Sequence, residues 1–331
     1  MSKIKTAVVG VGSLGRHHLK WLARLPQSQL IGLYDIDREK AEKYAGEYNI
    51  TAFTSLEQLA DKAELASIVV PTTFHYEVSR YLMERGIHCF IEKPMTSSLS
   101  QASVLQKLAA EQQVKVTVGQ IERFNPAVLA FKNLNVRPSF IEAHRLAAFD
   151  PRGTDVAVVL DLMIHDIDLT LYFIKSKIAD IQASAVAVVS EQADIANARL
   201  TFENGAVANL TASRISLHSM RKIRIFEKSG YYSIDLAGKQ ADLYRLAAGE
   251  NGFDGMRLPL GKSGKHLVYK KVSDTGEDML GLELETFLKA VVNETPVAVT
   301  IEEAAEALRV ALEIERIGLN SIARMMEADA D

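Results

Sequence analysis

The first 120 residues alternate between short apolar runs and longer segments with helical spacing. The apolar runs lie at residues 4–9, 30–34, 66–70, 87–91 and 114–118. Continuous apolar runs of this length are typical of strands that are buried on both faces. Helix-forming residues fill the segments between them, and such an alternation predicts a parallel, doubly wound α/β sheet.

The pattern changes after about residue 120. Strand-like runs then follow one another with little between them, at residues 181–189, 195–202, 206–213, 222–227 and 231–236. Asn204-Gly205 is a strong hairpin signal between two of these runs. We therefore predict a Rossmann-type domain at residues 1–122 and an α+β domain with a mostly antiparallel sheet at residues 123–331.

Composition and charge exclude several classes of protein. The 331 residues carry 38 Lys and Arg against 42 Asp and Glu, a net charge of −4. This argues against nucleic acid as a partner, which needs a concentrated basic face. The apolar runs are far shorter than the roughly 20 residues of a membrane helix, so no membrane partner is expected. The single cysteine, Cys89, excludes an internal disulfide, and we expect a soluble cytoplasmic protein.

A glycine motif follows the first predicted strand and opens the first predicted helix. Gly10 allows a tight turn, Gly12 lets the backbone approach a pyrophosphate, and Gly15 permits close helix–strand packing. The N–H groups of the helix that begins near Ser13 and Leu14 are a ready site for the phosphates. The motif therefore predicts a dinucleotide site.

Asp35 ends the second predicted strand, about twenty residues beyond this motif. Its carboxylate is expected to accept hydrogen bonds from the ribose of the cofactor and to repel a 2′-phosphate. NAD is therefore favoured over NADP. The alternative is a glycine turn that binds no ligand.

Glu92-Lys93-Pro94 follows the fifth predicted strand. Ligands of open α/β sheets lie outside the carboxyl ends of the strands, so we expect Lys93 to point into the cofactor crevice. Pro94 disfavours helical backbone at Lys93. The alternative is a solvated lysine paired with Glu92, and position alone does not decide between the two.

Asp161, His165 and Asp168 fall within a predicted helix at residues 159–174. Spacings of four and three residues predict that the three side chains share one face. A histidine beside carboxylates can relay a proton to a substrate hydroxyl. The alternatives are a set of surface salt bridges and a metal site. No second cluster with ligand spacing occurs in the sequence, so no metal is expected.

Together these motifs resemble the Gfo/Idh/MocA family of oxidoreductases. The segment from Val70 to His75 is similar to the cofactor-lining turn of that family, and the similarity extends through residues 285–303. The resemblance implies that further residues line the NAD site, namely Pro71, Thr72, His75, Glu92, Lys93 and Gln120. It also implies a homodimer or homotetramer that forms through the sheet of the second domain.

The same resemblance implies a catalytic group of Lys93, Asp161 and His165. His165 is the preferred base because an unperturbed histidine pKa near 6.5 suits proton transfer. Lys93 would polarise the substrate oxygen, or act as the base if burial and a positive neighbour lower its pKa. Asp161 would orient the hydroxyl, while NAD carries the redox chemistry.

Three segments further resemble the bacterial UDP-N-acetylglucosamine 3-dehydrogenases within this family. They are Gln120-Ile-Glu-Arg123-Phe-Asn125-Pro126, Arg152-Gly-Thr-Asp155 and Ile195-Ala-Asn197-Ala-Arg199-Leu200. We expect a sugar or nucleotide-sugar substrate, with candidate contacts at Arg123, Asn125, Arg152, Asp168 and Arg214. Salt bridges are the alternative for each arginine. Two other functions stay open: a non-catalytic dinucleotide or sugar sensor on the same scaffold, and a dehydrogenase of a free sugar or polyol such as inositol.

Overall fold

A computed structural model of the chain describes residues 3–149, 156–246, 255–260 and 266–328. The chain divides into two compact units. The first contains the residues up to Ile121 together with Asp278–Leu308, and the second contains Glu122–Glu277 and the residues from Arg309 onward. The predicted substrate contact Arg152 lies outside the described residues.

The first unit is built on a six-stranded sheet in the order β3-β2-β1-β4-β5-β6. Its strands are β1 (Ile4–Val9), β2 (Ser28–Tyr34), β3 (Thr51–Ala52), β4 (Leu65–Ile68), β5 (His88–Ile91) and β6 (Val116–Val118). All neighbouring strands pair in parallel, which confirms the predicted doubly wound sheet. The strand order reverses between β1 and β4, and ligands of such sheets bind at this switch point.

Five helices connect these strands: α1 (Gly15–Leu22), α2 (Arg38–Tyr48), α3 (Leu56–Ala60), α4 (Thr72–Met83) and α5 (Leu99–Glu111). The helices α2, α3 and α5 each begin at a side chain that accepts a backbone N–H bond, from Asp37, Ser55 and Ser98 respectively. The helices α1 and α4 begin without a capping side chain. Both follow strands at the switch point.

The predicted division at residue 122 needs a correction near the other end of the chain. The helix α8 (Met279–Val292) and the start of α9 (Ile301–Ala328) belong to the first unit. Leu284 and Phe287 of α8 join the core cluster that contains Val8. A Cβ on Gly281 would lie 2.8 Å from the ring of Trp21, so α8 packs against α1 at a distance that only glycine allows at this position.

Two hydrogen bonds also join the end of the first sheet to the segment between α8 and α9. The Lys115 ammonium donates to the Thr295 carbonyl at 2.7 Å, and the Thr117 hydroxyl donates to the Val299 carbonyl at 2.9 Å. Apolar helical spacing does not show which sheet a helix packs against, so the sequence pattern did not assign α8 correctly.

The second unit holds a nine-stranded sheet in the order β14-β15-β13-β12-β11-β7-β10-β9-β8. Its strands are β7 (Phe140–Leu146), β8 (Ile178–Val186), β9 (Ile195–Phe202), β10 (Val207–Ser213), β11 (Met220–Glu227), β12 (Gly230–Asp235), β13 (Gln240–Leu246), β14 (Met256–Pro259) and β15 (His266–Val272). The mostly antiparallel prediction is confirmed, with β7 and β10 as the parallel pair. The strands β13 to β15 were not predicted.

The hairpin at Asn204-Gly205 is present, with one more loop residue than predicted. The Phe202 N–H donates to the Ala206 carbonyl, so the loop contains residues 203–205. Gly205 has a φ of +84°, and the Asn204 side chain accepts the Ala206 N–H at 3.0 Å. This unit also holds α6 (Pro126–Leu129), a π-helix (Val159–Met163), α7 (Ile164–Ile174) and the part of α9 from Arg309 onward. A 3₁₀ helix (Ile121–Phe124) spans the point where the chain passes from the first unit to the second.

Candidate active site

The three motif glycines have different physical reasons to be glycine. Gly10 has a φ of +88°, and a Cβ there would lie 2.5 Å from the Val69 carbonyl oxygen. A Cβ on Gly15 would overlap the carbonyl oxygen of Gly10. A Cβ on Gly12, in contrast, would meet no protein atom within 4 Å. The fold therefore requires Gly10 and Gly15, whereas Gly12 leaves space beside the backbone for a ligand.

Asp35 holds the glycine loop against the end of β2. Its Oδ2 accepts the Val11 N–H at 2.7 Å, and its Oδ1 accepts the Asp37 N–H at 2.9 Å. A carboxylate has room for about four donors, so about two positions stay available for ribose hydroxyls. Asp35 also lines the adjoining cavity, as its predicted role requires.

A cavity of about 570 Å³ runs along the glycine loop and the end of β2. Two exposed apolar side chains line it, Ile36 at 88% and Phe74 at 55% exposure. Asp35 and Asp37 add two carboxylates. Lys40 also lines the cavity and pairs with Asp37 at 3.1 Å, so Asp35 is the carboxylate that disfavours a 2′-phosphate. Apolar walls suit a flat base, and these residues fit the adenosine half of NAD.

The phosphate part of the predicted site also fits. Leu14 precedes α1 with an apolar, exposed side chain that does not cap the helix, and Ser13 beside it is also exposed. Pro71 precedes α4 in the same way, and Thr72 is its first residue. Uncapped N–H groups and the positive end of the helix dipole suit phosphate oxygens. Ser13, Leu14, Pro71 and Thr72 stay predictions as cofactor contacts.

His75 lies at the predicted turn, in the first turn of α4, but its side chain is buried and has protein partners. It is 1% exposed, and its two ring nitrogens lie 2.8 Å from the Pro94 carbonyl and 2.9 Å from the Val70 carbonyl. Burial lowers the pKa of His75, although both carbonyls oppose this. Because the protein occupies both nitrogens, the structure gives His75 internal partners and no free donor for the cofactor.

Glu92 and Lys93 lie directly after β5, as predicted. Glu92 Oε2 accepts the Lys93 N–H at 3.2 Å. A Cβ on Gly119 would lie 3.0 Å from both Glu92 oxygens, so this glycine allows the carboxylate to lie across the end of β6. Lys93 is partly exposed, while Gln120 beside Gly119 is 2% exposed.

His18 is a residue of this site that the sequence interpretation missed. It is fully buried. Its Nδ1 lies 2.7 Å from the Ser67 hydroxyl, and its Nε2 lies 3.1 Å from a Glu92 oxygen. The signal was present, because His18 stands three residues after Gly15 and four before Leu22, on the buried face of α1.

The predicted helix that carries Asp161, His165 and Asp168 consists of two segments, a π-helix and an α-helix. Asp161 lies in the π-helix, and His165 lies in α7 after it. A π turn adds a residue to the helical repeat, so the α-helical i, i+4 relation does not hold between these two. Asp161 and His165 are partly exposed, whereas Asp168 is buried.

Two buried ion pairs fix α7 within the second unit. The Arg123 guanidinium forks onto Asp168 with bonds of 2.8 and 2.7 Å. The Arg145 guanidinium forks onto Asp166 at 3.1 and 2.8 Å and also donates to Glu122 at 2.9 Å. Arg123 and Asp168 were predicted substrate contacts, but here they bind each other, which favours the salt-bridge alternative.

Two other predicted substrate contacts are also held by the protein. The Asn125 side chain caps α6 through the Ala127 N–H and donates to the Leu236 carbonyl at 2.9 Å. It is fully buried, so its role in the structure is to connect the chain internally. The Arg214 guanidinium donates to the Val156 carbonyl.

Arg214 also lies beside a carboxylate that organises the loop before β9. Its Nε is 3.8 Å from Asp194, which accepts the N–H groups of Val188, Val189 and Ser190. Burial raises the pKa of Asp194, but these amide bonds outweigh it and lower the pKa to about 2. Arg214 therefore contacts the segment that leads into the π-helix carrying Asp161.

Comparison with known proteins defines the class. Residues 4–120 match the NAD-binding Rossmann domain of the Gfo/Idh/MocA oxidoreductase family, and residues 136–233 match its C-terminal domain. The chain belongs to the Gfo/Idh/MocA family and is an NAD-dependent oxidoreductase, as its motifs predicted. None of the helices in the described part of the chain is long and apolar enough to cross a membrane.

Particular relatives narrow this class. The chain is 38% identical to UDP-N-acetylglucosamine 3-dehydrogenase of Acidithiobacillus ferrooxidans, over 90% of this chain and 91% of that protein. A solved structure of UDP-N-acetylglucosamine 3-dehydrogenase GnnA from that organism has a TM-score of 0.88 at 35% identity, covering 97% of this chain and 99% of that one. Myo-inositol dehydrogenase Hyg17 of Streptomyces leeuwenhoekii is 26% identical over 94% of this chain and 96% of that protein.

Proposed function

We propose that the protein oxidises a ring hydroxyl of a nucleotide sugar of the UDP-N-acetylglucosamine type, with NAD as the acceptor. The observation that carries this proposal is the 38% identity to UDP-N-acetylglucosamine 3-dehydrogenase over 90% of the chain. A similarity of this extent includes residues of both compact units.

The chain supplies positioning and proton transfer in this proposal. When bound, the nicotinamide ring supplies the hydride acceptor. His165 takes the proton from the substrate hydroxyl, Lys93 holds the oxygen, and Asp161 orients the hydroxyl. All three side chains are partly exposed, as groups that meet a ligand must be. Arg152 stays a proposed substrate contact.

The test is turnover of UDP-N-acetylglucosamine with NAD, followed by NADH absorbance. Lys93→Met and His165→Asn should lower kcat by about 10²- to 10⁴-fold, the usual contribution of one positioned acid–base group. The Kd for NAD should stay nearly unchanged. Lys107→Met and His266→Asn are matched controls, because Lys107 is exposed on α5 of the first unit and His266 is exposed on β15 of the second. A variant that keeps most of its kcat contradicts the role of that residue.

A second candidate function is oxidation of a free polyol, favoured by the 26% identical myo-inositol dehydrogenase. Turnover of myo-inositol, with none of UDP-N-acetylglucosamine, would replace the first proposal. A sensor without catalysis predicts tight NAD binding and no NADH with any sugar. The sensor function would be favoured if the wild type binds NAD without turning over any sugar and Lys93→Met binds NAD with the same affinity.

We also propose a cytoplasmic homodimer or homotetramer that forms through the nine-stranded sheet. Polar side chains lie exposed on one face of this sheet around a cavity of about 510 Å³, which His144 and Arg199 line. Open sheet faces of this kind often pair with a second copy. Arg199→Glu should shift the assembly to monomer in sedimentation velocity. A wild-type monomer at micromolar concentration contradicts the proposal.

A further inference from the structure

Two buried histidines of the first unit join the ends of β4 and β5. His18 reaches from α1 between Ser67 of β4 and Glu92 after β5, at 2.7 and 3.1 Å. The Glu92 oxygen lies off the line of the ring N–H, so this contact is electrostatic rather than a linear hydrogen bond. The ring also packs edge-on against Phe90, with centroids 5.4 Å apart.

His75 makes the same kind of connection from α4. Its Nε2 lies 2.9 Å from the Val70 carbonyl after β4, and its Nδ1 lies 2.8 Å from the Pro94 carbonyl after β5. The partners of the two histidines after β5 are therefore Glu92 and Pro94, the residues on either side of Lys93. Neither histidine side chain is exposed to a ligand.

The backbone of Lys93 is consequently fixed on both sides. Glu92 accepts the Lys93 N–H, and close approach to Gly119 leaves the carboxylate little freedom. Lys93 itself has a long flexible side chain, so the position of its ammonium depends on how well its backbone is held. A displacement of about 1 Å at a reacting group can lower a rate by about 10²-fold.

We propose that His18 and His75 are positioning residues that hold the Glu92–Pro94 segment, and with it Lys93, and that His75 is not a ligand of the cofactor. The proposal rests on the role of Lys93 given under the proposed function. It assigns the ring N–H of His18 to Nε2, facing Glu92. His75 faces two carbonyl acceptors, and a neutral ring carries one N–H, which the proposal places on Nδ1, facing Pro94, so that only the Pro94 contact is a hydrogen bond.

Replacing each histidine by asparagine and by glutamine distinguishes a positioning role from simple packing. An asparagine amide nitrogen takes approximately the place of Nδ1, and a glutamine amide nitrogen takes approximately that of Nε2. His18→Gln thus retains the contact with Glu92 and His18→Asn the contact with Ser67. His75→Asn retains the contact with Pro94 and His75→Gln the contact with Val70.

We expect kcat to follow opposite orders at the two positions. At position 18 the glutamine variant should exceed the asparagine variant by about tenfold, and at position 75 the asparagine variant should exceed the glutamine variant by a similar factor. The KM for NAD should stay within about twofold throughout. If a histidine only fills space, the larger glutamine should retain the higher kcat at both positions. The same order of kcat at positions 18 and 75 therefore overturns the proposal. Weakened NAD binding in the His75 variants, with kcat unchanged, also overturns it.

Controls keep this result separate from the proposed function. His17→Asn and His17→Gln alter the exposed neighbour of His18 and should leave kcat unchanged. If Lys93→Met keeps its kcat, the catalytic role of Lys93 fails. The acetylation rate of Lys93, read by mass spectrometry with exposed Lys107 as internal reference, then tests the positioning role alone. The positioning role is supported if the acetylation rate of Lys93 follows opposite orders at positions 18 and 75, as expected for kcat. Equal Lys93 acetylation rates in all four variants overturn it.

Discussion

Gly12→Ala tests whether Gly12 is a glycine because of the ligand or because of the fold. A methyl group on Gly12 would meet no protein atom within 4 Å, so the free protein accommodates it. Alanine at a compatible backbone position stabilises a protein by about 0.4–1 kcal/mol, since it narrows the unfolded ensemble. The Tm of Gly12→Ala should therefore stay level or rise by a few degrees.

The cofactor complex responds in the opposite direction. The space beside Gly12 is where the pyrophosphate is expected, and forcing a methyl group into a packed contact costs about 1–3 kcal/mol. This weakens NAD binding by about 5- to 150-fold, since about 1.4 kcal/mol corresponds to a factor of ten. Gly15→Ala should instead lower the Tm by about 2–12 °C, because its methyl overlaps the Gly10 carbonyl.

Calorimetric titration with NAD and thermal unfolding by circular dichroism measure the two effects. Gly46→Ala is the matched control, because its methyl also meets no atom within 4 Å but lies on α2, and Gly46 does not line the cavity. It should leave NAD affinity unchanged. Wild-type NAD affinity in Gly12→Ala would refute the assignment of this space to the pyrophosphate.

Three further predictions follow from charges in the two units. Asp35→Asn should narrow the preference for NAD over NADP by at least about tenfold, measured as the ratio of dissociation constants, and an unchanged ratio contradicts repulsion by Asp35. Asp194→Asn should cost about 2 kcal/mol at pH 7, because a pKa lowered to about 2 stabilises the fold above pH 4 and this stability is lost as the pH falls towards 2. If the difference in unfolding free energy between the wild type and Asp194→Asn stays constant as the pH falls from 7 to 2, the lowered pKa of Asp194 is not its origin. Arg145→Met should cost about 3–5 kcal/mol in urea unfolding, because the buried carboxylates of Asp166 and Glu122 lose their guanidinium. Arg316→Met, at the surface pair with Glu313, should cost less than about 1 kcal/mol.

Local signals predicted the first sheet and the glycine loop well. Buried parallel strands have a strong apolar pattern, and the glycine motif has a fixed relation to Asp35. The change to antiparallel strands was also readable, because alternation and the Asn204-Gly205 turn are local features. Charged residues such as Asp242, Arg257 and Lys270 interrupt the apolar pattern of the strands β13 to β15, and these strands were missed.

The long-range pairs of the site were not predictable in this way. Arg145 on β7 meets Asp166 on α7 only through the register of that strand with its neighbours, which no short sequence window contains. The π turn before His165 shifts the helical phase without a proline or glycine to mark it. The burial of His18 was readable from the helical phase, because it shares the buried face of α1 with Gly15 and Leu22.

The chain order of the first unit has a consequence for synthesis on the ribosome. The core side chains of α8, and the carbonyls that bind Lys115 and Thr117, lie about 180 residues after the sheet they complete. At about 5–20 residues per second, the nascent Rossmann sheet waits roughly 10–35 s with Trp21 uncovered. Ribosome-bound chains stalled near residue 200 should therefore be cleaved by protease around α1, and chains stalled well past residue 308 should resist. Equal resistance at both lengths would show that the sheet closes without α8.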